Sequence, residues 1–100
     1  MDKREKTYLL LNALINRFHK EQKKSKKTEV LRNVIGLKFK LARLEKNITA
    51  EAVVQDNKEV FSDVHSLYKF EQGAFQFGKL NALVNYYNVD ANDLFKLTER

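Results

Sequence analysis

Cysteine and proline are absent from this 100-residue chain, and glycine occurs only three times. Without cysteine there is neither a disulfide framework nor a thiolate metal site, and the cytoplasm is the expected compartment. Without proline, and with so few glycines, long uninterrupted helices cost little, which favours an all-α fold. The two histidines, His19 and His65, lack a second ligand at metal-site spacing. There is no glycine-rich phosphate loop and no Gly-x-Ser-x-Gly motif, and Ser25, Ser62 and Ser66 have no His/Asp arrangement around them. No cofactor, no metal and no enzymatic activity are expected. The apolar run Tyr8 to Ile15 is too short to span a bilayer, and a lysine cluster follows it where a signal peptide would place small residues. No membrane partner is expected.

What is present is an ordinary globular composition, 43% hydrophobic and 32% charged, in a length that suits one modest core. The charge is unevenly placed. Residues 1–28 hold nine Lys/Arg and three Asp/Glu, a net of +6, and residues 29–100 hold ten of each. The excess is densest at Lys20, Lys23, Lys24, Lys26 and Lys27. Such a cluster either solubilises a surface helix or neutralises phosphates and releases their counterions. The chain therefore divides into an N-terminal segment, residues 1–28, and a neutral domain, residues 29–100.

In the first segment Tyr8, Leu11, Leu14, Ile15 and Phe18 recur at helical spacing, predicting an amphipathic helix over about Glu5–Glu21. The lysine-rich stretch after it either continues that helix or forms a connector. Thr28 is placed to cap the next helix, which runs to about Lys46. Leu37, Leu41 and Leu44 form a stripe on it. An exposed leucine stripe would be costly, so Leu11, Leu14 and Phe18 of the first helix are expected to cover Leu37, Leu41 and Leu44, as a lid in cis or as a dimer contact. Asn47 ends the helix in a left-handed turn. Thr49 caps the following one. Asp63 to Gly73 reads as a short capped helix with Val64, Leu67 and Phe70 inward. Gln76 and Phe77 open a further helix through Leu80, Leu83, Val84 and Tyr87. Asn88 closes that helix, and Asp90 caps a last one through Leu94, Phe95 and Leu97.

The order of these features resembles the phage-repressor-like helix-turn-helix family, also called the Cro or XRE family. Ile35-Gly36, Phe39, Ala42-Arg43 and Asn47-Ile48-Thr49 are similar to its first helix and the turn after it. Leu67 to Gly73 is similar to the end of its recognition helix, and Phe77 to Phe95 to its last two helices. The resemblance covers about two thirds of the chain. It implies a lambda-repressor-like five-helix domain, here preceded by an extra N-terminal helix. Two departures stand out: Val54 occupies a place the family usually gives to alanine, and the connection around Asn57-Lys58-Glu59 is about three residues longer.

From this resemblance the expected function is sequence-specific binding of double-stranded DNA, as a homodimeric transcriptional regulator of bacterial or phage type. It implies that Val64, His65 and Lys69 occupy base-reading positions, and that Ser66 and Gln72 reach phosphates. Thr49 would present backbone N–H groups to another phosphate. It also implies an ion pair between Arg43 and Glu71. Ala74 and Phe75 stand where phosphate-gripping residues are usual, so Lys23, Lys24, Lys26 and Lys27 would compensate. Two rival readings are a protein-interaction module on the same fold, antitoxin-like or anti-repressor-like, and a non-specific DNA binder acting through the N-terminal lysines.

Overall fold

Six helices make up the computed structural model, which describes residues 2–98: α1 (Lys3–Lys20), α2 (Lys24–Glu45), α3 (Ala50–Asp56), α4 (Val64–Glu71), α5 (Phe77–Tyr87) and α6 (Ala91–Leu94). Among the described residues there is no strand. Asp2 starts α1, its carboxylate accepting from the Glu5 N–H at 2.8 Å. The chain breaks for only residues 21–23 before α2 begins. Thr28 is therefore not a cap. It lies inside α2, and its hydroxyl donates to the Lys24 carbonyl at 3.0 Å. The lysines before it are good helix formers with no breaker among them, so the helix starts a turn earlier than Thr28 suggests. α2 thus runs through residue 28 without interruption.

α2 is the common wall of two cores. One side carries Val30, Val34, Leu37 and Leu41, which pack with Leu11 and Ile15 of α1. Tyr8, Leu14, Phe18 and Leu97 lie half-buried around them. The leucine stripe is covered in cis: Leu37 and Leu41 are buried by the chain's own first helix, and Leu44 is half-buried. Full burial of one such side chain is worth about 1.5–3 kcal/mol. The outer face of α1 remains apolar in part, with Leu9 and Leu10 exposed.

The other side of α2 carries Ile35 and Phe39 into the larger core, with Ala50, Val53, Phe61, Leu67, Phe70, Leu83, Tyr87 and Leu94. Asn47 and Asn88 take left-handed backbones, φ 55° and 53°, and turn the chain out of α2 and α5. Two expectations fail here. Phe77 opens α5 but does not face the core: it is 84% exposed. α6 is a single turn that stops at Leu94, leaving Phe95 exposed. The last described residues are held by side chains of the first two helices. Lys38 Nζ donates to the Asp93 carbonyl at 2.6 Å and to that of Lys96, capping the end of α6. His19 Nε2 lies 2.7 Å from the Leu97 carbonyl, a contact that requires the proton on Nε2.

Candidate nucleic-acid interface

α4 is fixed at both ends. At its start Asp63 accepts from the Ser66 N–H at 2.8 Å, and the Ser66 hydroxyl receives the Asp63 N–H at 3.4 Å, a reciprocal capping box. The same hydroxyl donates to the Asp63 carbonyl at 2.7 Å. The Ser66 hydroxyl thus takes part in holding the helix end. At the other end Gly73 takes φ +106°, and its N–H donates to the Phe70 carbonyl at 3.0 Å. Leu67 and Phe70 are fully buried. The Phe70 ring meets Phe39, Phe61 and Phe75 edge-on, with centroids 5.1, 5.9 and 4.9 Å away.

The C-terminal end of α4 presses on α2. A Cβ on Gly36 would stand 2.3 Å from the Glu71 carbonyl oxygen, so only glycine permits this approach. A Cβ on Gly73 would lie 3.1 Å from both the Arg32 Cβ and the Asn33 side-chain oxygen. Two turns further along α2, Arg43 grips Glu71 with two bonds: Nε to Oε2 at 2.9 Å, and Nη2 to Oε1 at 3.1 Å. The two side chains are 10% and 4% exposed. Burial works against the Arg43 charge. The hydrogen bond to Glu71 and the charge of Glu71 outweigh it, and the arginine pKa is raised. The Tyr87 hydroxyl is buried with no hydrogen-bond partner among the described residues. Desolvation, reinforced by the charge of Glu71, pushes its pKa well above the usual phenol range.

Anchored in this way, α4 turns His65, Tyr68, Lys69 and Gln72 to solvent. These positions, i, i+3, i+4 and i+7, share one helical stripe. Val64 is instead half-buried and packs against the larger core, so the inward pull of its side chain leaves it on the edge of the stripe. Tyr68 was not among the residues singled out from the sequence. Its spacing from His65 was the available signal.

The segment between α3 and α4, residues 57–63, is an enlarged turn and not a longer helix. Asn57 is buried and its Nδ2 donates to the Val53 carbonyl at 2.8 Å. The Asn57 carbonyl accepts from the Val60 and Phe61 N–H groups, at 3.1 and 3.0 Å. Phe61 is fully buried and anchors the turn. Thr49 caps α3 by accepting from the Ala52 N–H at 3.1 Å, so its hydroxyl is occupied in the helix it starts. Tyr86 donates to Asp56 at 2.7 Å, joining the end of α3 to α5. Desolvation, then the hydrogen bond and charge of Asp56, push the Tyr86 phenol up to about 12.

Lys20, Lys23, Lys24 and Lys26 are exposed at the corner between α1 and α2. Lys27 is half-buried, its Nζ 4.9 Å from the centre of the Phe18 ring. Lys23 stands at the N-cap of α2 without a side-chain cap, and no acidic residue lies in the first turn. The positive helix end and the lysines repel one another, which makes this corner receptive to anions.

Elsewhere, a cleft of about 1000 Å³ lies between α1, α2 and the α5–α6 corner. Its walls include Leu11, Ile15, Leu41 and Leu94, all already buried, and its rim mixes Lys38, Lys46 and Lys96 with Glu45, Asp90 and Asp93. Among the described residues no group of three or more His, Cys, Asp or Glu is placed to hold a metal ion, and no helix is long and apolar enough to cross a membrane. No family model, no curated protein and no solved structure matches the chain.

Proposed function

We propose that the protein is a sequence-specific DNA-binding regulator of bacterial or phage type, in which α3, the turn 57–63 and α4 act as a helix-turn-helix within a lambda-repressor-like domain. The carrying observation is the two-sidedness of α4. Its inner side is locked to α2 through the buried Arg43–Glu71 pair, and its outer stripe offers His65, Lys69 and Gln72 with no apolar purpose of their own. A rigid helix with outward donors is what reading base edges in the major groove requires. Lys69 donates to guanine, and His65 donates or accepts according to its protonation. Val64, on the edge of the stripe, is left for contact with a thymine methyl. The basic corner supplies the phosphate contacts that position the protein. One short helix reads few bases, so binding is expected as a two-fold dimer on an inverted repeat. The burial of Leu37 and Leu41 by α1 leaves that stripe unavailable for the dimer contact.

Selection of bound sites from a random pool of duplexes by the full chain tests this reading. Recovery of a common motif with two-fold symmetry is the expected result. A recovered pool with no shared sequence, or no retention of duplex at low salt, would overturn it. The second reading is a protein-interaction module, and one observation favours it. Phe77 stands 84% exposed at the start of α5, where a phosphate-facing loop would gain from a donor instead of a ring.

A further inference from the structure

The outer stripe of α4 leads from His65 through Lys69 to Gln72, and the chain then turns at Gly73 against Arg32 of α2. Arg32 is exposed and makes no ion pair among the described residues. It stands six residues from Lys26 on the same helix, about 9 Å along the axis. From Arg32 the positive charge continues through Lys26, Lys24 and Lys23 to Lys20, interrupted in this stretch only by the acids Glu29 and Glu21. Glu21 is partly engaged, accepting from the Lys23 N–H at 3.3 Å. Along the axis of α2, Arg32 thus stands between the end of the reading stripe and the basic corner. The major groove is about 12 Å wide. A helix seated in it by the α4 stripe would bring Arg32 to one groove wall and the lysine corner to the duplex beyond it.

We infer that Arg32 is a phosphate-gripping residue that couples the α4 reading surface to the lysine corner, so that the protein's footprint on a duplex runs past the groove occupied by α4. This rests on the DNA-binding reading above. It adds a division of labour: α4 sets sequence preference, and Arg32 with the corner sets the salt dependence. A guanidinium suits this task, because its fork of donors matches two phosphate oxygens and it keeps its charge at every working pH.

The experiment measures binding of the full chain to a labelled mixed-sequence 30-base-pair duplex across a series of salt concentrations. Arg32→Ala is expected to reduce the slope of log affinity against log salt by about 0.9, and Lys23→Ala/Lys24→Ala/Lys26→Ala together by about 2.7, one counterion term per phosphate contact. Arg32→Lys should restore most of the slope, and Lys3→Ala, at the far end of α1, should leave it unchanged. Circular dichroism melts show that each variant is folded. If the wild type binds and Arg32→Ala keeps the full slope, the inference is wrong and the reading of α4 stands. If Lys3→Ala flattens the slope as much as Arg32→Ala does, the charge acts diffusely and the inference is again wrong. If the wild type ignores the duplex, or binds phosphatidylserine vesicles in its place, the DNA-binding reading itself falls.

Discussion

Replacing Glu71 by alanine should be among the most damaging single changes in this protein. The Arg43 and Glu71 side chains are 10% and 4% exposed and share two hydrogen bonds at 2.9 and 3.1 Å. Removing the carboxylate leaves a guanidinium enclosed by protein with nothing to neutralise it, which costs about 3–5 kcal/mol. Against a domain stability of about 5–15 kcal/mol, that is about a fifth or more of the total. Urea unfolding followed by circular dichroism measures it, with an expected drop in midpoint of at least about 1 M. The double variant Arg43→Met/Glu71→Leu removes both charges and fills the space with apolar atoms. It should recover most of the loss, because a buried pair replaced whole is often neutral or better. If each single variant costs less than about 1 kcal/mol, the pair behaves as an exposed one and the argument from burial fails.

Gly36→Ala puts a Cβ 2.3 Å from the Glu71 carbonyl. Alanine's better helix propensity offsets only part of the resulting clash, and a net loss of about 1–3 kcal/mol is expected. Hydrogen exchange should show α4 loosened more than α1; equal loosening of both would argue that the contact is not local. Tyr86, whose phenol is pushed up to about 12 by desolvation and Asp56, is more strongly protonated in the folded state than in the unfolded chain. Its contribution is complete below the unfolded value near 10 and is lost as pH rises through about 12. The tyrosinate absorbance that disappears in Tyr86→Phe should therefore have its midpoint near pH 12, and a midpoint near 10 would refute the bond to Asp56. Lys69→Ala should cost about 1–3 kcal/mol of binding to the selected site and relax preference at one base position. Uniform weakening across all sequences would instead make Lys69 a phosphate contact.

Much of α4 is written in local sequence. Asp63 and Gly73 mark its ends because capping and left-handed turns depend on a residue's own chemistry. The same holds for Asn47 and Asn88, and for the spacing that turns Leu67 and Phe70 inward. The Arg43 and Glu71 contact spans 28 residues, and only the resemblance to a known family made it visible before the coordinates did. Tertiary features stayed hidden. Gly36 looks like an ordinary interruption of a helix until the Glu71 carbonyl is placed beside it. Thr28 carries the right chemistry for a cap, yet the lysines before it extend the helix past that point. Phe77 has the spacing of a core residue, but α5 begins just outside the core. Phe61 and Asn57 gave no periodic signal, because the turn they stabilise is held by one buried ring and one side-chain amide. For the candidate interface, the outward placement of His65 and Lys69 was legible from period and their base-reading role was implied only by the family resemblance, whereas Tyr68 and Arg32 acquire meaning only from which side of α4 faces outward and where Gly73 lands.

Sharing α2 between two cores has a practical outcome for anyone wishing to separate the lysines from the rest. Cutting the chain after residue 28 would sever α2 inside its second turn and strip Val30, Val34, Leu37 and Leu41 of their cover. At about 1.5–3 kcal/mol for each side chain, the deletion would forfeit roughly as much free energy as a whole small domain possesses. A shortened protein that failed to bind would then report its own collapse, and single-residue exchanges are the instrument by which charge can be withdrawn while the architecture is left standing.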